Sequence, residues 1–307
     1  MKAAEALAII LSVAFLSGCS ERGRSEGRFD QYMYRDTRQL VSLVEDAAVL
    51  LEKQGLPAFR ELGVKGSRWF NESHYIFAYD LNGRNIFHPA YPELLGKSLI
   101  DFRDIVGRPL IRQITDVGRR PEPDAFGWVF YFWEDNNEFQ PHWKNAYIRK
   151  VVLPDGTSIV IGSGSYTIKV ERVFVKDRVD AAVKLLKTEG RAATFRALRD
   201  DTSEFNFLGI HIFVLDARGR ALVDPAFPTL EGRDLSGFKD AVGHPVMKEL
   251  FRRLENTDSV WLQFLFPRPG ETVPSRKLMY CRKVEVDGET LLVGSDFFQA
   301  TPIWMNF

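Results

Sequence analysis

The sequence predicts an α+β protein built from two tandem modules, each a long N-terminal helix packed on an antiparallel sheet of about five or six strands. Three observations predict it. First, Tyr75–Ile114 is written again as His211–Leu250 over forty residues without a gap, and the shared positions include Asp80/Asp216, Gly83/Gly219, Pro89/Pro225, Pro92/Pro228, Gly96/Gly232, Asp104/Asp240 and Gly107/Gly243. These are turn-formers and loop carboxylates, so a backbone path is repeated and not only a hydrophobic pattern. Second, a stretch of helical period precedes each copy. Third, alternating apolar stretches come after each copy, which together is the pattern of helix packed on antiparallel sheet.

The chain opens with Met1 and Lys2, an apolar run from Leu7 to Leu16, and Leu16-Ser17-Gly18-Cys19. A basic start and a short apolar core ending in small residues predict a signal peptide over 1–18, too short for a permanent membrane span. Its end resembles a bacterial lipobox, which implies acylation of Cys19. The other reading is a plain signal peptide in which Cys19 is incidental. Residues 19–29 are rich in Glu, Arg, Gly and Ser and predict a lipidated tether. Ser20 after the cysteine leans, by the same resemblance, towards the periplasm and the outer membrane. Cys281 has no intramolecular partner if Cys19 is acylated, and its alignment with Ile148 predicts a small core residue.

The first module, 30–168, begins with a predicted helix over Tyr32–Gln54, with Leu40, Val44, Ala47, Ala48 and Leu51 on one face and Gly55 and Pro57 closing it. His74–Asp80 alternates as a strand. Asn82-Gly83 suggests a tight hairpin with positive φ at both residues before Arg84–His88 returns, and Pro89 ends the ladder. A loop-rich crossover comes next, with a short helix over Pro109–Val117, then strands over Gly127–Trp133, Trp143–Leu153 and Ser158–Tyr166. The second module, 169–307, repeats the plan: a helix over Glu171–Glu189 closed by Gly190, then strands over His211–Asp216, Arg220–Val223, Ser259–Phe266, Lys277–Val286 and Thr290–Phe297.

Composition narrows function. The 307 residues hold 41 Lys and Arg against 41 Asp and Glu, with no basic run, so nothing draws in nucleic acid. The five histidines lack ligand-like spacing for a metal, no Cys-x-x-Cys-His suggests haem, and Gly162-Ser163-Gly164 lacks the surroundings of a nucleophile elbow or dinucleotide loop. The sequence therefore predicts neither an enzyme nor a cofactor.

The ordered residues Tyr75-Ile76-Phe77-x-x-Asp80-x-x-Gly83, His88-Pro89, Pro92-x-Leu94-x-Gly96-Lys97, Asp104-x-x-Gly107, Gly127-Trp128-Val129-x-Tyr131-x-Trp133, Lys144-x-x-Tyr147 and Ile161-Gly162-Ser163-Gly164-x-Tyr166 resemble the single Cache domain. That resemblance implies a PAS-like extracytoplasmic sensing module that binds a small organic ligand, often a carboxylate or amine, between the sheet and the crossover. The second copy keeps the frame but has Asp224 for His88, Pro267 after the Trp261 strand and Asp296 for Gly164, departures that weaken the case for a ligand there.

The residues support a pocket on their own terms. Trp128, Tyr131, Trp133, Trp143 and Tyr147 cluster in sequence with Lys144, Arg149 and His88. A buried carboxylate needs a cation and directed donors, each charge-assisted hydrogen bond contributing about 1.5–3 kcal/mol. Lys144, Tyr147 and His88 offer these donors, and Trp128 and Tyr131 offer walls. For most of the aromatics, packing of the sheet core is the better account. Lys144-x-x-Tyr147 recurs as Lys277-x-x-Tyr280, with Trp261 aligned on Trp128, although a snorkelling lysine beside a core tyrosine gives the same pattern. The odd spacing also sets Lys144 and Tyr147 on opposite faces unless the strand is bulged. His88 and Asp224 read either as ligand contacts of opposite preference or as caps of the strand end. Asp80, Asp216, Asp104 and Asp240 read as turn braces.

The expected function is a lipid-anchored extracytoplasmic protein that binds a small carboxylate or amine and passes its state to a membrane partner: a receptor, sensor kinase or transporter. The alternative is a structural or interaction lipoprotein whose pockets are filled by its own side chains.

Overall fold

The computed structural model describes residues 28–134, 140–268 and 271–299, so the signal segment, Cys19 and most of the tether lie outside the described residues. The first long helix, α1 (Arg35–Gln54), buries Leu40, Val41, Val44, Ala47, Ala48 and Leu51 on one face. It starts three residues later than expected because Tyr34 is extended, with φ −93° and ψ 142°. Gly55, at φ 67°, ends it and donates its N–H to Leu51 O at 2.8 Å. A 3₁₀ turn over Leu56–Ala58 and the short α2 (Phe59–Leu62) come next.

The second long helix, α4 (Arg172–Arg199), runs past its expected end. Gly190 leaves helical geometry, at φ 76° and ψ −179°, but the chain re-enters helix beyond it. The two closures differ in the residues just beyond the glycine. Pro57 lacks an N–H and restricts the chain to a tight turn, whereas Arg191-Ala192-Ala193 are strong helix formers. No helix among the described residues is long and apolar enough to cross a membrane.

Two antiparallel sheets of five strands form. The first joins β1 (Phe77–Asp80), β2 (Asn85–Phe87), β3 (Phe126–Trp133), β4 (His142–Val152) and β5 (Ser158–Ser165) in the order β2-β1-β5-β4-β3. The second joins β6 (Ile212–Asp216), β7 (Ala221–Val223), β8 (Ser259–Pro267), β9 (Pro274–Val286) and β10 (Glu289–Phe298) in the equivalent order β7-β6-β10-β9-β8. In each, the chain leaves one edge and crosses to the other through a 3₁₀ turn and a short helix, α3 (Leu110–Gly118) or α5 (Val246–Leu254). The architecture is the α+β pair of modules that the repeat predicts.

Loop carboxylates set both crossovers. Asp80 Oδ1 accepts the N–H groups of Asn82 and Arg84 at 2.9 Å, and Asp216 does the same for Arg218 and Arg220. Only Gly83 takes positive φ in the first turn, so the expected pair with Asn82 is not formed. The aspartate holds a wider turn instead, and the β1–β2 register shifts between Ala78 and Tyr79. Asp104 accepts from Val106 and Arg108 with one oxygen and from Phe132 on β3 with the other; Asp240 repeats this with Val242, His244 and Leu265 on β8. One carboxylate thus ties each crossover loop to its edge strand.

Strand alternation gives each sheet a long-helix face and a crossover face. On β9, Arg282 reaches Asp180 of α4 at 2.9 Å, whereas Met279 and Cys281 pack with Val246, Met247, Leu250 and Leu254 of α5. Burial pushes the Cys281 thiol up to about 12, so it is an inert core residue. On β4, Tyr147 and Arg149 reach Glu45 of α1, and Ile148 faces the other way. A Cβ at Gly162 would lie 2.7 Å from both Ile148 and the Phe77 ring, and one at Gly294 would overlap Phe213. The repeated glycine therefore lets an aromatic ring lie across the neighbouring strand.

Packing groups the described residues into two compact units. Those up to Ile100, with Arg112–Gly127 and Ala146–Ile168, form one; Asp101–Ile111, Trp128–Asn145 and those from Lys169 onward form the other. The second unit therefore takes in the Asp104 loop and the outer parts of β3 and β4. Within it Trp128 and Phe130 lie 4.7 and 5.2 Å from Phe174, and Phe130 lies 4.8 Å from Phe207, ring centre to ring centre.

Candidate functional site

In the second repeat the lysine that sequence singled out is buried and ion-paired. The β9–β10 register sets Lys277 opposite Phe298 and Met279 opposite Asp296, so Lys277 and Asp296 are diagonal neighbours on the crossover face. Lys277 Nζ lies 2.8 Å from Asp296 Oδ1, and 5.3 and 5.2 Å from the ring centres of Phe266 and Phe298. An ammonium between two rings and against one carboxylate combines a salt bridge with cation–π attraction.

Asp224 completes this cluster. Its Oδ1 accepts the N–H of Phe227 at 3.0 Å, and its own N–H donates to Glu231 Oε1 at 3.0 Å, with Glu231 held by Arg199 at 2.7 Å. Burial, aided by the Asp296 and Glu231 charges and opposed by the Phe227 N–H and Lys277, pushes the Asp224 carboxyl up to about 6. A carboxyl raised in the folded state favours folding while protonated, and that contribution is lost as pH rises from near 4 through 6. Asp224→Asn keeps the Phe227 bond and stays neutral. It is expected to raise the melting temperature at pH 8 and leave it unchanged near pH 4; an equal shift at both pH values would refute the assignment.

In the first repeat His88 stands where Asp224 stands, and its Nδ1 accepts the N–H of Tyr91 at 3.1 Å. Both residues therefore cap the strand end with one atom. Because a backbone N–H only donates, the neutral imidazole carries its proton on Nε2, a hydrogen-bond donor. The ring centre lies 4.9 Å from that of Tyr75 and 5.1 Å from that of Tyr91, and the ring stacks on Phe77 at 6.1 Å. Burial, with Tyr91, Tyr166 and Tyr79 close by, holds the Tyr75 phenol well above its usual range, and burial pushes Tyr79 up to about 12. Four tyrosines and an imidazole thus gather on the crossover side of β1.

Strand alternation sorts the other sequence-predicted residues. β4 runs unbroken from His142 to Val152, so Lys144 shares the crossover face with Ile148 while Tyr147 turns to the helix. Tyr147 donates its hydroxyl to Glu45 Oε1 at 2.7 Å, and burial together with that carboxylate holds its phenol well above the usual range. Phe126 packs against Tyr147 with ring centres 5.8 Å apart, which assigns Trp128 to the helix face and Tyr131 to the face of Lys144. Lys144 is 3% exposed. In the second repeat Trp261 and Tyr280 stack on each other at 4.9 Å beneath Arg172 of α4.

The arrangement corrects part of the sequence reading. His88, Tyr131, Lys144, Asp224 and Lys277 lie on crossover faces, whereas Trp128, Tyr147, Trp261 and Tyr280 lie on long-helix faces, as strand alternation places them. Sequence reasoning also passed over Tyr75, Tyr79 and Tyr91 as pocket groups. Their signal is in the repeat: with Tyr166 they become His211, Leu215, Phe227 and Phe298, so the second copy loses every phenol that surrounds His88 in the first.

The family models that match this chain agree with this architecture. Residues 63–187 match the family model described as Cache domain, and residues 209–299 match Single Cache domain 2. The methyl-accepting chemotaxis protein McpP of Pseudomonas putida KT2440 is 28% identical over 189 residues, which are 58% of this chain and 33% of that protein. The match thus spans about a third of the length of that relative. A solved periplasmic sensor domain of a chemotaxis protein is 28% identical, covering 41% of this chain and 88% of its own, with a TM-score of 0.32. A Cache chemosensory domain described for carboxylic acid recognition is 19% identical, covering 41% and 86%, with a TM-score of 0.33. The periplasmic sensory domain of the Campylobacter jejuni chemoreceptor Tlp1 is 11% identical, covering 91% of each chain, with a TM-score of 0.28.

Proposed function

We propose, proceeding from a chain that carries two Cache domains in tandem, that it is a ligand-binding sensory protein of the bacterial cell envelope whose first domain takes a small carboxylate. The domains are residues 30–168 and 169–307. One observation carries the ligand class: the lysine that both copies share is met in the second by a carboxylate, Asp296, at 2.8 Å. The first copy has Gly164 at the aligned position, which brings no side chain. A free carboxylate is the chemical counterpart of the Asp296 side chain. Lys144 is its cation and Tyr131 a wall.

Trp128 and Tyr147 have no part in this site, since their strands direct them to the long helix. An amine fits the first copy less well, because the Lys144 ammonium offers donors and a like charge where an ammonium needs acceptors. The lipobox-like Leu16-Ser17-Gly18-Cys19 supports an acyl anchor at Cys19 in the periplasm, from which a receptor, sensor kinase or transporter would read the liganded state. A purely structural role is favoured by one observation only, the Lys277–Asp296 pair, and that concerns the second domain.

A thermal-shift panel of small carboxylates, amines and amino acids tests the reading. A carboxylate at a hundredfold over its dissociation constant should stabilise the protein by about 2.7 kcal/mol. Lys144→Ala should abolish that response in a protein that still unfolds cooperatively, and unchanged affinity would exclude Lys144 from the site. Cys19→Ser should move the protein out of the membrane fraction; retention there would point to another attachment.

A further inference from the structure

We propose that the second domain is a carboxylate site closed by its own chain, with the Asp296 side chain as a tethered occupant of the place a free carboxylate would take. Three features converge on this. The Asp296 carboxylate meets Lys277 at 2.8 Å, and the ammonium sits between the Phe266 and Phe298 rings, so a cation and two apolar walls already enclose one carboxylate. The lysine is 8% exposed, which restricts its partner to whatever fits beneath the crossover. Asp296 also stands on β10 where the first copy has Gly164 on β5, so a single side chain separates the two copies at this point.

The neighbouring charges fit the same account. Asp224 lies close enough to the pair to interact with both of its charges, and its backbone N–H donates to Glu231, which pairs with Arg199 of α4. With Asp296 present, a second carboxylate would have to enter against two like charges and share one ammonium. Like charges at that range repel strongly when partly desolvated, so the native domain is closed to anions. Removing Asp296 takes away one of those charges and leaves the cation. Acetate is the natural probe, because its CH₃COO⁻ reproduces the CH₂COO⁻ of the deleted side chain.

The test uses the full chain in a Lys144→Ala background, so that the first domain's site cannot answer for the second and either reading can fail alone. Asp296→Gly, which restores the residue of the first copy, is titrated with sodium acetate against sodium chloride at equal ionic strength. Its acetate affinity should be at least tenfold tighter than that of Asp296→Gly with Lys277→Met, and the Lys144→Ala parent should show no acetate binding. Asp296→Ala removes the same carboxylate without adding backbone freedom and should behave likewise. Equal acetate affinity with and without Lys277 would overturn the proposal, as would acetate binding by the parent. Variants left unfolded that acetate does not restore would overturn it too.

Discussion

Arg108→Ala is expected to cost about 3–5 kcal/mol of stability, the range for removing one partner of a buried ion pair. The Arg108 side chain is 3% exposed and that of Asp104 is fully buried, with Nε 3.7 Å from Oδ2. The guanidinium donates to the carbonyls of Ser203 at 3.0 Å, Asn206 at 2.6 Å and Asp201 at 2.9 Å, and stacks over Trp143 at 4.6 Å. Alanine would take the donor from three part-buried carbonyls and leave Asp104, still held by three backbone N–H groups, without its cation; a buried group so stranded costs about 1–3 kcal/mol. Lysine should recover only part of the loss, since a single ammonium cannot reproduce the planar fork that serves several acceptors at once. The aligned residue in the second copy, His244, is exposed, and His244→Ala should stay within about 0.5 kcal/mol of the parent. Urea midpoints of the three variants measure this, and an Arg108→Ala loss below about 1 kcal/mol would show that water replaces the guanidinium. The loop of residues 200–206 should also exchange its amide hydrogens faster in that variant.

How far the molecule was legible in advance depended on whether an interaction leaves a mark in sequence. The repeat and the Asp80, Asp104, Asp216 and Asp240 braces were legible because turns demand particular residues at fixed spacings. Arg108 was not, because its partners are mainly backbone carbonyls of a loop some ninety residues away, and a carbonyl has no sequence signature. The face of Tyr147 was half legible. Its odd spacing from Lys144 already argued for opposite faces, yet its partner Glu45 lies on a helix 102 residues distant and only packing identifies it. Asp296 stood out as a departure from the first copy, but its meaning required the β9–β10 register that sets it diagonal to Lys277. The phenols around His88 were legible in principle, since comparing the copies position by position shows each hydroxyl disappearing.

Tyr147 and Lys144 should therefore separate cleanly when stability and ligand affinity are measured on the same variants. Glu45 is a shared acceptor: Tyr147 donates to it at 2.7 Å, Arg149 pairs with it at 3.3 Å, and Arg28 pairs with it at 3.0 Å while also reaching Asp124. The three ion-pair side chains are 7–13% exposed, so this network joins α1 to the sheet with little help from solvent. Glu45→Ala would leave Arg28 to Asp124 and Arg149 to Glu52 and take that acceptor from the Tyr147 phenol, and is expected to cost about 3 kcal/mol. Tyr147→Phe removes one hydrogen bond to a charged acceptor and should cost about 1.5–3 kcal/mol. A double-mutant cycle between the two should recover a coupling of at least about 0.5 kcal/mol, as expected for groups in contact. Neither change should alter carboxylate affinity in the folded protein, because both act on the long-helix face. Lys144→Ala should do the reverse, abolishing the ligand response while the protein stays folded. If Tyr147→Phe weakened the ligand tenfold with no loss of stability, the tyrosine would belong to the pocket after all, and β4 would have to present both faces to the ligand.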